Sequence, residues 1–396
     1  MIIEPRMRGF ICTTAHPDGC TQNIKNQIAY IKSKNTIDGP KKVLVIGAST
    51  GFGLASRITA AFGSNAATVG VFFEKEPTEG KTASPGWYNS AAFENEANKA
   101  GIYAKSINGD AFSDEIKAKT IDLIQKDLGK IDLVIYSLAS PVRLDPKTGI
   151  LHRSVLKPIG EVYTNKTVDF HSGKVSEISI NPCEGDDIEN TVKVMGGDDW
   201  AMWIVALQKA NLLENDFKTV AYSYIGPSLT EDVYRKGTIG KAKDHLEATA
   251  FEITESLKNI NGHAFVSVNK ALVTQASSAI PVIPLYISLL YKIMKEDGTH
   301  EGCIEQIERL FSQRLYTGAT IPVDEAGRIR IDDWELNPEI QAKVADLWKI
   351  ATTENLPEIG DLLGYRSDFH NLFGFGVAGI NYAKDANEML MVVSIS

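Results

Sequence analysis

The chain is poor in the features that mark secreted, zinc-binding and nucleic-acid-binding proteins. It has only four cysteines in 396 residues, and none of them forms the CxxC pair typical of a zinc site. Cys12, His16 and Cys20 also match no zinc spacing. No signal-peptide pattern precedes the cysteines, so we expect reduced thiols and a cytoplasmic protein. The net charge of −9 and the lack of a basic stripe argue against a nucleic-acid partner.

Long hydrophobic runs are also scarce. The most apolar stretch, residues 280–294, contains Pro281, Pro284 and Lys292 and is too short to span a bilayer. We therefore predict a buried or ligand-facing helix that begins near Pro284, and a soluble protein without a membrane span. The chain has no internal repeat and no low-complexity segment.

What the chain does contain is a strand, a glycine turn and a helix within residues 41–57, KKVLVIGASTGFGLASR. The short β-branched run at residues 43–46 predicts a buried parallel strand. Gly47, Gly51 and Gly53 would let the backbone turn sharply and approach a pyrophosphate, whose charge the first N–H groups of the helix stabilise. The alternative is an ordinary strand-to-helix turn. The spacing G-x-x-x-G-x-G resembles the glycine motif of the short-chain dehydrogenase/reductase superfamily.

Strands and helices continue to alternate after this turn. The pattern predicts strands at residues 67–73, 102–107, 131–137, 219–225 and 264–269, and helices at residues 90–100, 114–128 and 198–213. This order predicts an α/β fold, a Rossmann-type doubly wound parallel sheet with helices on both faces. We expect one domain over residues 1–396, with an N-terminal extension (1–39, including a helix at 22–34), a dinucleotide-binding half (40–142), inserted β-hairpins (143–195) and a catalytic and substrate-binding half (196–396).

Ligands of such sheets lie beyond the carboxyl ends of the strands. Glu74, Asp110 and Ala139 each follow a predicted strand, so we expect them to converge on the glycine turn. An acidic residue at the end of the second strand can accept both ribose hydroxyls and would repel a 2′-phosphate. Glu74 therefore favours NADH over NADPH; the alternative is a solvated strand terminus.

Three tyrosines, Tyr222, Tyr224 and Tyr234, cluster at the carboxyl end of the fifth predicted strand together with several lysines. In short-chain reductases a tyrosine transfers a proton, and a lysine one helical turn later binds the nicotinamide ribose and lowers the tyrosine pKa. None of the three tyrosines has a lysine four residues on. Lys241 and Lys243 follow Tyr234 by seven and nine residues. The alternative is an unrelated surface pair.

Two glycines, Gly237 and Gly240, separate Tyr234 from these lysines. They would break the helix, so Tyr234 would lie on a preceding turn and Lys243 in the first turns of the next helix. On that helix positions 241 and 243 are about 200° apart, so only one of them can face a cofactor. We expect Lys243 to face inward and Lys241 to face solvent.

The motifs VIGASTGFG, YSYIGP, YRKGTIGKAK with its Tyr-x8-Lys spacing, and FGFGVAGINY resemble those of the NADH-dependent trans-2-enoyl-CoA reductases, over essentially the whole chain. This resemblance implies a monomeric oxidoreductase of fatty acid biosynthesis and lipid metabolism. It implies that Tyr234 donates the proton, Lys243 holds the nicotinamide ribose and Tyr224 contacts the substrate. The NADH-lining residues it implies are Gly47, Ala48, Ser49, Thr50, Gly51, Phe52, Phe73, Glu74, Asp110, Ala111, Leu138, Ala139, Lys243, Leu272, Val273 and Thr274.

The expected reaction is reduction of the C2=C3 bond of a short-chain enoyl-CoA, such as crotonyl-CoA. An enoyl-[acyl-carrier-protein] is the alternative substrate, and a non-catalytic NADH-binding redox sensor is the alternative of another class. An acidic carrier protein would need a basic docking patch, and the candidates are Arg143, Arg153, Lys157, Lys236 and Lys241; a solvated charge cluster explains them equally well.

Residues 374–379, GFGVAG, spell G-x-G-x-x-G literally. No suitable strand precedes this motif, and too little chain follows it for a βαβ unit of roughly 30 residues. We expect close backbone packing near the active site there, and no second cofactor site.

Overall fold

The computed structural model describes residues 1–9 and 11–395. The strands are β1 (Met7–Arg8), β2 (Ile11–Cys12), β3 (Lys42–Ile46), β4 (Ala67–Phe72), β5 (Ala104–Asn108), β6 (Ile131–Tyr136), β7 (Val142–Leu144), β8 (Leu151–Arg153), β9 (Tyr163–Asp169), β10 (Lys174–Ile180), β11 (Leu213–Ser223), β12 (His263–Val268) and β13 (Arg328–Arg330). The helices are α1 (Pro17–Lys32), α2 (Gly51–Ser64), α3 (Pro85–Lys99), α4 (Asp114–Asp127), α5 (Asp187–Met195), α6 (Asp198–Lys209), α7 (Thr238–Ser256), α8 (Gln275–Ser278), α9 (Ile283–Glu296), α10 (Cys303–Leu310), α11 (Pro338–Ile350), α12 (Leu356–Ile359) and α13 (Leu362–Asn371).

Seven parallel strands form the central sheet, in the order β13-β12-β11-β6-β3-β4-β5. The chain leaves β3 toward β4 and β5 and then returns to place β6 on the other side of β3. Ligands of doubly wound sheets bind at such a reversal. The six predicted strands are confirmed. The seventh, β13, was not predicted, because Arg-Ile-Arg carries no apolar run.

Helices cover both faces of this sheet, as predicted. Val43 and Val45 pack on one side with α1, α2, α3 and α10, whereas Leu44 and Ile46 pack on the other side with α4, α6 and α7. Alternate side chains of a strand point to opposite faces. All four residues are 0% exposed, which explains why this strand is continuously apolar rather than alternating.

A third apolar core lies around α9, where Leu285, Leu289 and Leu290 pack with side chains of α13. The predicted buried helix is confirmed, with Pro284 in its first turn, where a missing N–H costs nothing. Among the described residues, no helix has the length and apolar character needed to cross a membrane.

The predicted insertion contains two antiparallel hairpins, β7 with β8 and β9 with β10. The prediction of hairpins as far as residue 195 was wrong, because the last part of the insertion, Asp187–Met195, is helix α5. Helix α3 also begins at Pro85, before the predicted residue 90, since proline is favourable at the first helical position. Helix α1 likewise begins at Pro17 instead of residue 22.

Candidate active site

The glycine turn lies between the carboxyl ends of β3 and β6 and the start of α2. Gly47 has a φ of +84°, and a Cβ there would lie 2.1 Å from the Ser137 carbonyl oxygen. A Cβ at Gly53 would lie 2.0 Å from the Gly47 oxygen. Only glycine fits either position. The side chain of Thr50 does not cap α2, so the N–H groups of its first turn can bind a phosphate group.

Glu74 faces this turn from the end of β4. Its Oε1 accepts a hydrogen bond of 2.6 Å from Ser49 Oγ, and Asn108 hydrogen-bonds its backbone N–H and carbonyl at 2.8 and 3.0 Å. Burial raises the pKa of Glu74, and hydrogen bonds from Ser49 and Ser84 oppose that rise. The neighbouring Phe73 is 78% exposed.

The loop after β5, which contains Asp110 and Ala111, is fixed by a buried ion pair. Lys117 Nζ donates to the carbonyls of Ala111 and Phe112 at 3.0 and 2.8 Å and to Asp199 Oδ1 at 2.7 Å. Burial raises the pKa of Asp199, and Lys117 opposes this. Sequence reasoning missed this pair, because a lysine within a helix normally indicates a solvent-facing position.

The segment that follows β12 lines a cavity with the glycine turn, whereas the segment that follows β6 does not. A cavity of about 440 Å³ brings Thr50 and Gly51 together with residues 272–275. The backbone N–H of Val273 donates to Tyr291 Oη at 3.1 Å, and Thr274 caps α8. Leu138 and exposed Ala139 follow β6 outside this cavity. The structure therefore brings the glycine turn and the 272–274 segment to one cavity.

The three tyrosines occupy different environments. Tyr224 and Tyr234 form an edge-to-face pair with ring centroids 5.0 Å apart. Tyr234 is 7% exposed, burial raises its pKa, and its hydroxyl has no hydrogen-bond partner in the described part of the chain. Tyr222 Oη instead shares a 2.6 Å hydrogen bond with Ser56 Oγ of α2, which gives Tyr222 a packing role.

The turn that carries Tyr234 folds back on the start of α7. A Cβ at Gly240 would lie 1.9 Å from the Arg235 carbonyl oxygen, and one at Gly237 would lie 2.4 Å from that of Val233. Both glycines are therefore needed for this close approach. The predicted turn before the lysine-bearing helix is confirmed at Gly237, which is the N-cap of α7. The prediction was wrong for Gly240, which lies inside α7 because the helix already begins at Thr238.

The two candidate lysines differ in surroundings. Lys241 has a side chain that is 54% exposed and lies 3.6 Å from Asp244. Lys243 is half-buried and forms no ion pair within 4 Å in the described residues. Burial lowers the pKa of Lys243 to about 8, while Glu247 raises it and Arg235 lowers it further. The expected division into an outer and an inner lysine matches this arrangement.

The proposed basic docking patch is not supported. Arg143 is 2% exposed and donates to the Lys193 carbonyl at 2.6 Å, so its place in a surface patch was wrong. Lys157 pairs with Asp187 at 2.9 Å, and Lys236 with Glu231 at 3.1 Å. Neighbouring carboxylates therefore neutralise much of the charge that a docking surface would need.

The literal G-x-G-x-x-G motif is a packing feature. It follows helix α13, and a Cβ at Gly374 would lie 2.5 Å from the His16 carbonyl oxygen. A Cβ at Gly19 would lie 1.7 Å from the Gly374 oxygen. His16 itself caps α1 by accepting from Gly19 N at 3.3 Å. Within residues 1–9 and 11–395 no group of three or more His, Cys, Asp or Glu side chains could hold a metal ion.

Three family models match the chain. Residues 2–79 match the NAD(P)H binding domain of trans-2-enoyl-CoA reductase, and residues 81–316 match the trans-2-enoyl-CoA reductase catalytic region. Residues 323–386 match a model described as an enoyl reductase FAD binding domain.

The third segment contains β13 and helices α11 to α13, and a flavin does not fit at its glycine motif. A dinucleotide needs a glycine turn between a strand and a helix N-terminus. Here the motif follows a helix, and Gly374 is closed off by the backbone of α1. We therefore assign no step of the reaction to a flavin.

Similar proteins extend over the whole chain. The enoyl-[acyl-carrier-protein] reductase [NADH] of Flavobacterium psychrophilum is 77% identical over 395 residues, 100% of both chains. The trans-2-enoyl-CoA reductase [NADH] of Ruminiclostridium cellulolyticum is 60% identical, with 98% of both chains covered. The crystal structure of Treponema denticola trans-2-enoyl-CoA reductase in complex with NAD is 55% identical, covers 98% of both chains and has a TM-score of 0.94. The chain belongs to the trans-2-enoyl-CoA reductase family.

Proposed function

We propose that the protein reduces the C2=C3 double bond of a short-chain enoyl-CoA, such as crotonyl-CoA, with NADH. The observation that carries this proposal is the Tyr224–Tyr234 pair beyond the carboxyl end of β11, with its ring centroids 5.0 Å apart. Among the described residues the Tyr234 hydroxyl has no hydrogen-bond partner. The relatives named above and the solved structures with NAD or NADH support the cofactor.

The crevice at the switch point has the parts that NADH needs. The uncapped N-terminus of α2, within the predicted stretch from Gly47 to Phe52, can bind the pyrophosphate. Glu74, beside Ser49, would accept the adenosine ribose hydroxyls, and Asp110, Ala111, Leu138 and Ala139 would line the adenosine side. Lys243 and the Leu272, Val273 and Thr274 segment would hold the nicotinamide side.

Bound NADH supplies a hydride, which adds to the β carbon of the unsaturated thioester. Negative charge then moves to the thioester oxygen. Tyr234 would donate to that oxygen, and a donor aimed at charge that appears only in the transition state lowers the barrier. Burial raises the pKa of Tyr234, so its hydroxyl carries a proton at neutral pH. Glu335 raises this pKa further. Protonation of the α carbon completes the reduction.

The second candidate substrate is an enoyl-[acyl-carrier-protein]. It is favoured by the names of the relatives with 77%, 75% and 69% identity. Coenzyme A remains our first choice, because four of the five basic side chains expected to dock an acidic carrier are buried or paired: Arg143 is buried, and Lys157, Lys236 and Lys241 lie within 4 Å of carboxylates. Only Arg153 is both exposed and without an ion pair among the described residues. We further propose that the protein works as a cytoplasmic monomer, with one domain and a glycine turn of the short-chain dehydrogenase/reductase type. Phe52 packs against two of the three apolar cores, which supports a single domain.

The test is NADH oxidation, followed by its absorbance, with crotonyl-CoA and with the crotonyl thioester of an acyl carrier protein. We expect oxidation that depends on the thioester, with the larger kcat/KM for the coenzyme A form. A larger value for the carrier-protein form would select the second substrate. NADH binding without oxidation by either thioester would select the redox sensor.

A further inference from the structure

A buried carboxylate lies beneath the tyrosine pair. Glu335 is 0% exposed, and its Oε1 accepts hydrogen bonds from Tyr224 Oη at 3.1 Å and Tyr286 Oη at 2.7 Å. Its Oε2 accepts from the backbone N–H of Ala271 at 2.7 Å. The Glu335 side chain therefore binds both Tyr224, which follows β11, and Ala271, which immediately precedes the 272–274 segment.

The segment that carries Glu335 is itself fixed. Arg309 binds Glu301 with two hydrogen bonds of 2.7 and 2.8 Å and also donates to the Ile331 carbonyl at 2.7 Å. Gln341 Nε2 donates to the Glu335 carbonyl at 2.7 Å. These contacts hold the backbone of the segment that carries Glu335. Its carboxylate is therefore a well-anchored acceptor for the Tyr224 hydroxyl.

Lys270 is the cation that offsets the charge of this carboxylate most. Lys270 is 2% exposed and its Nζ donates to the Ala271 carbonyl at 3.1 Å. Burial raises the pKa of Glu335, and Lys270 opposes that rise more strongly than any other charged group. Three hydrogen-bond donors point at the two oxygens, and the ionised form, which only accepts, satisfies all three.

We infer that Glu335 is a positioning residue, which holds the Tyr224 hydroxyl as a donor toward the protein and so leaves Tyr234 as the proton donor. This inference deepens the proposed function and depends on it. An ionised carboxylate cannot donate, so the Tyr224 hydroxyl donates its hydrogen bond to Glu335 and offers only lone pairs to the crevice. The partner-free hydroxyl of Tyr234 is then the tyrosine proton available to the thioester oxygen.

The inference is tested with a double-mutant cycle of Glu335→Gln and Tyr224→Phe, measured on kcat/KM for crotonyl-CoA. Glutamine has one acceptor oxygen, so it cannot satisfy three donors. We expect each single variant to lose roughly 10-fold or more in kcat/KM, the scale of one hydrogen bond to a charged group. If Glu335 acts through Tyr224, the double variant loses no more than about threefold beyond the worse single variant, because residues in direct contact are not additive.

The matched control is Glu94→Gln, which makes the same change in a fully buried glutamate far from the tyrosines. Glu94 is 0% exposed and accepts from Ser394 Oγ at 2.7 Å on the α3 side of the sheet. We expect a lower Tm with an unchanged kcat/KM. If Glu335→Gln fails to fold, the joint change of Lys270→Met and Glu335→Gln replaces it in the cycle, because this pair leaves no unpaired buried charge.

Losses that multiply in the double variant would overturn the inference, as would a wild-type kcat/KM in folded Glu335→Gln. If Glu335 had a purely structural role, the losses of kcat/KM in the two single variants would multiply in the double variant. Failure of the proposed function is a separate outcome, because wild-type protein would then oxidise no NADH with either thioester. In that case Tyr224 has no catalytic partner to position, and the inference is overturned together with the function.

Discussion

Replacing Lys243 by methionine should stabilise the free protein and weaken its binding of NADH. The Lys243 ammonium is half-buried, and no carboxylate lies within 4 Å of it among the described residues. Burial lowers the pKa of Lys243 to about 8, which means that the folded protein disfavours the charged form. Methionine has a similar length and no charge, so it removes this cost. Lys241→Met, two residues away and 54% exposed, is the matched control.

The expected magnitudes follow from the surroundings of each lysine. A hydrogen bond from a charged lysine to a ribose hydroxyl contributes about 1.5–3 kcal/mol, so we expect a roughly 10- to 150-fold larger Kd for NADH in Lys243→Met. The exposed pair of Lys241 with Asp244 is worth under about 1 kcal/mol, so Lys241→Met should change the Kd less than about fivefold. Its Tm should stay within roughly 2 °C of wild type.

The pH dependence fixes the sign of the stability effect. The pKa of Lys243 is lowered on folding, so between about 8 and 10.5 the unfolded chain binds more protons than the folded one. Wild-type stability therefore rises with pH across this window. The advantage of Lys243→Met should be complete below pH 8 and should fade as the pH approaches 10.

The assay pairs NADH titration by fluorescence with urea unfolding at pH 7 and pH 9.5. A lower free energy of unfolding for Lys243→Met at pH 7 would refute the desolvation argument. An unchanged Kd for NADH in that variant would refute the cofactor role, and a large change in Lys241→Met would transfer that role to Lys241.

Three further predictions concern other parts of the site. Tyr234→Phe should fold and bind NADH normally but lose roughly 100-fold in kcat with crotonyl-CoA; near-normal turnover would move the role to Tyr224. Glu74→Ala should narrow the preference for NADH over NADPH in initial-rate assays, and equal use of both cofactors by the wild type would contradict the role of Glu74. Asp199→Asn leaves Lys117 buried without its ion-pair partner, so urea unfolding should show a loss of about 3–5 kcal/mol; a loss below about 1 kcal/mol would show that the pair is not needed.

Local pattern was enough to predict the first half of the fold. Glycine turns, β-branched runs and helical spacing act over a few residues, so β3, α2, β4 and β6 could be predicted from neighbouring residues alone. The two glycines between Tyr234 and Lys243 predicted a turn for the same reason. The motifs also carried the family resemblance over the whole length.

Long-range packing decided the rest. Arg-Ile-Arg becomes strand β13 because β12 offers a free edge, and Asp187–Met195 becomes helix α5 because it packs against α7. Nothing near Glu335 in the sequence indicates that it lies beneath Tyr224, and nothing near Lys117 indicates Asp199. Charged residues usually face water, so their burial depends on partners from distant parts of the chain. The sequence by itself therefore determined the glycine turn and the tyrosine–lysine spacing, while only the tertiary structure decided which charged groups are buried against them.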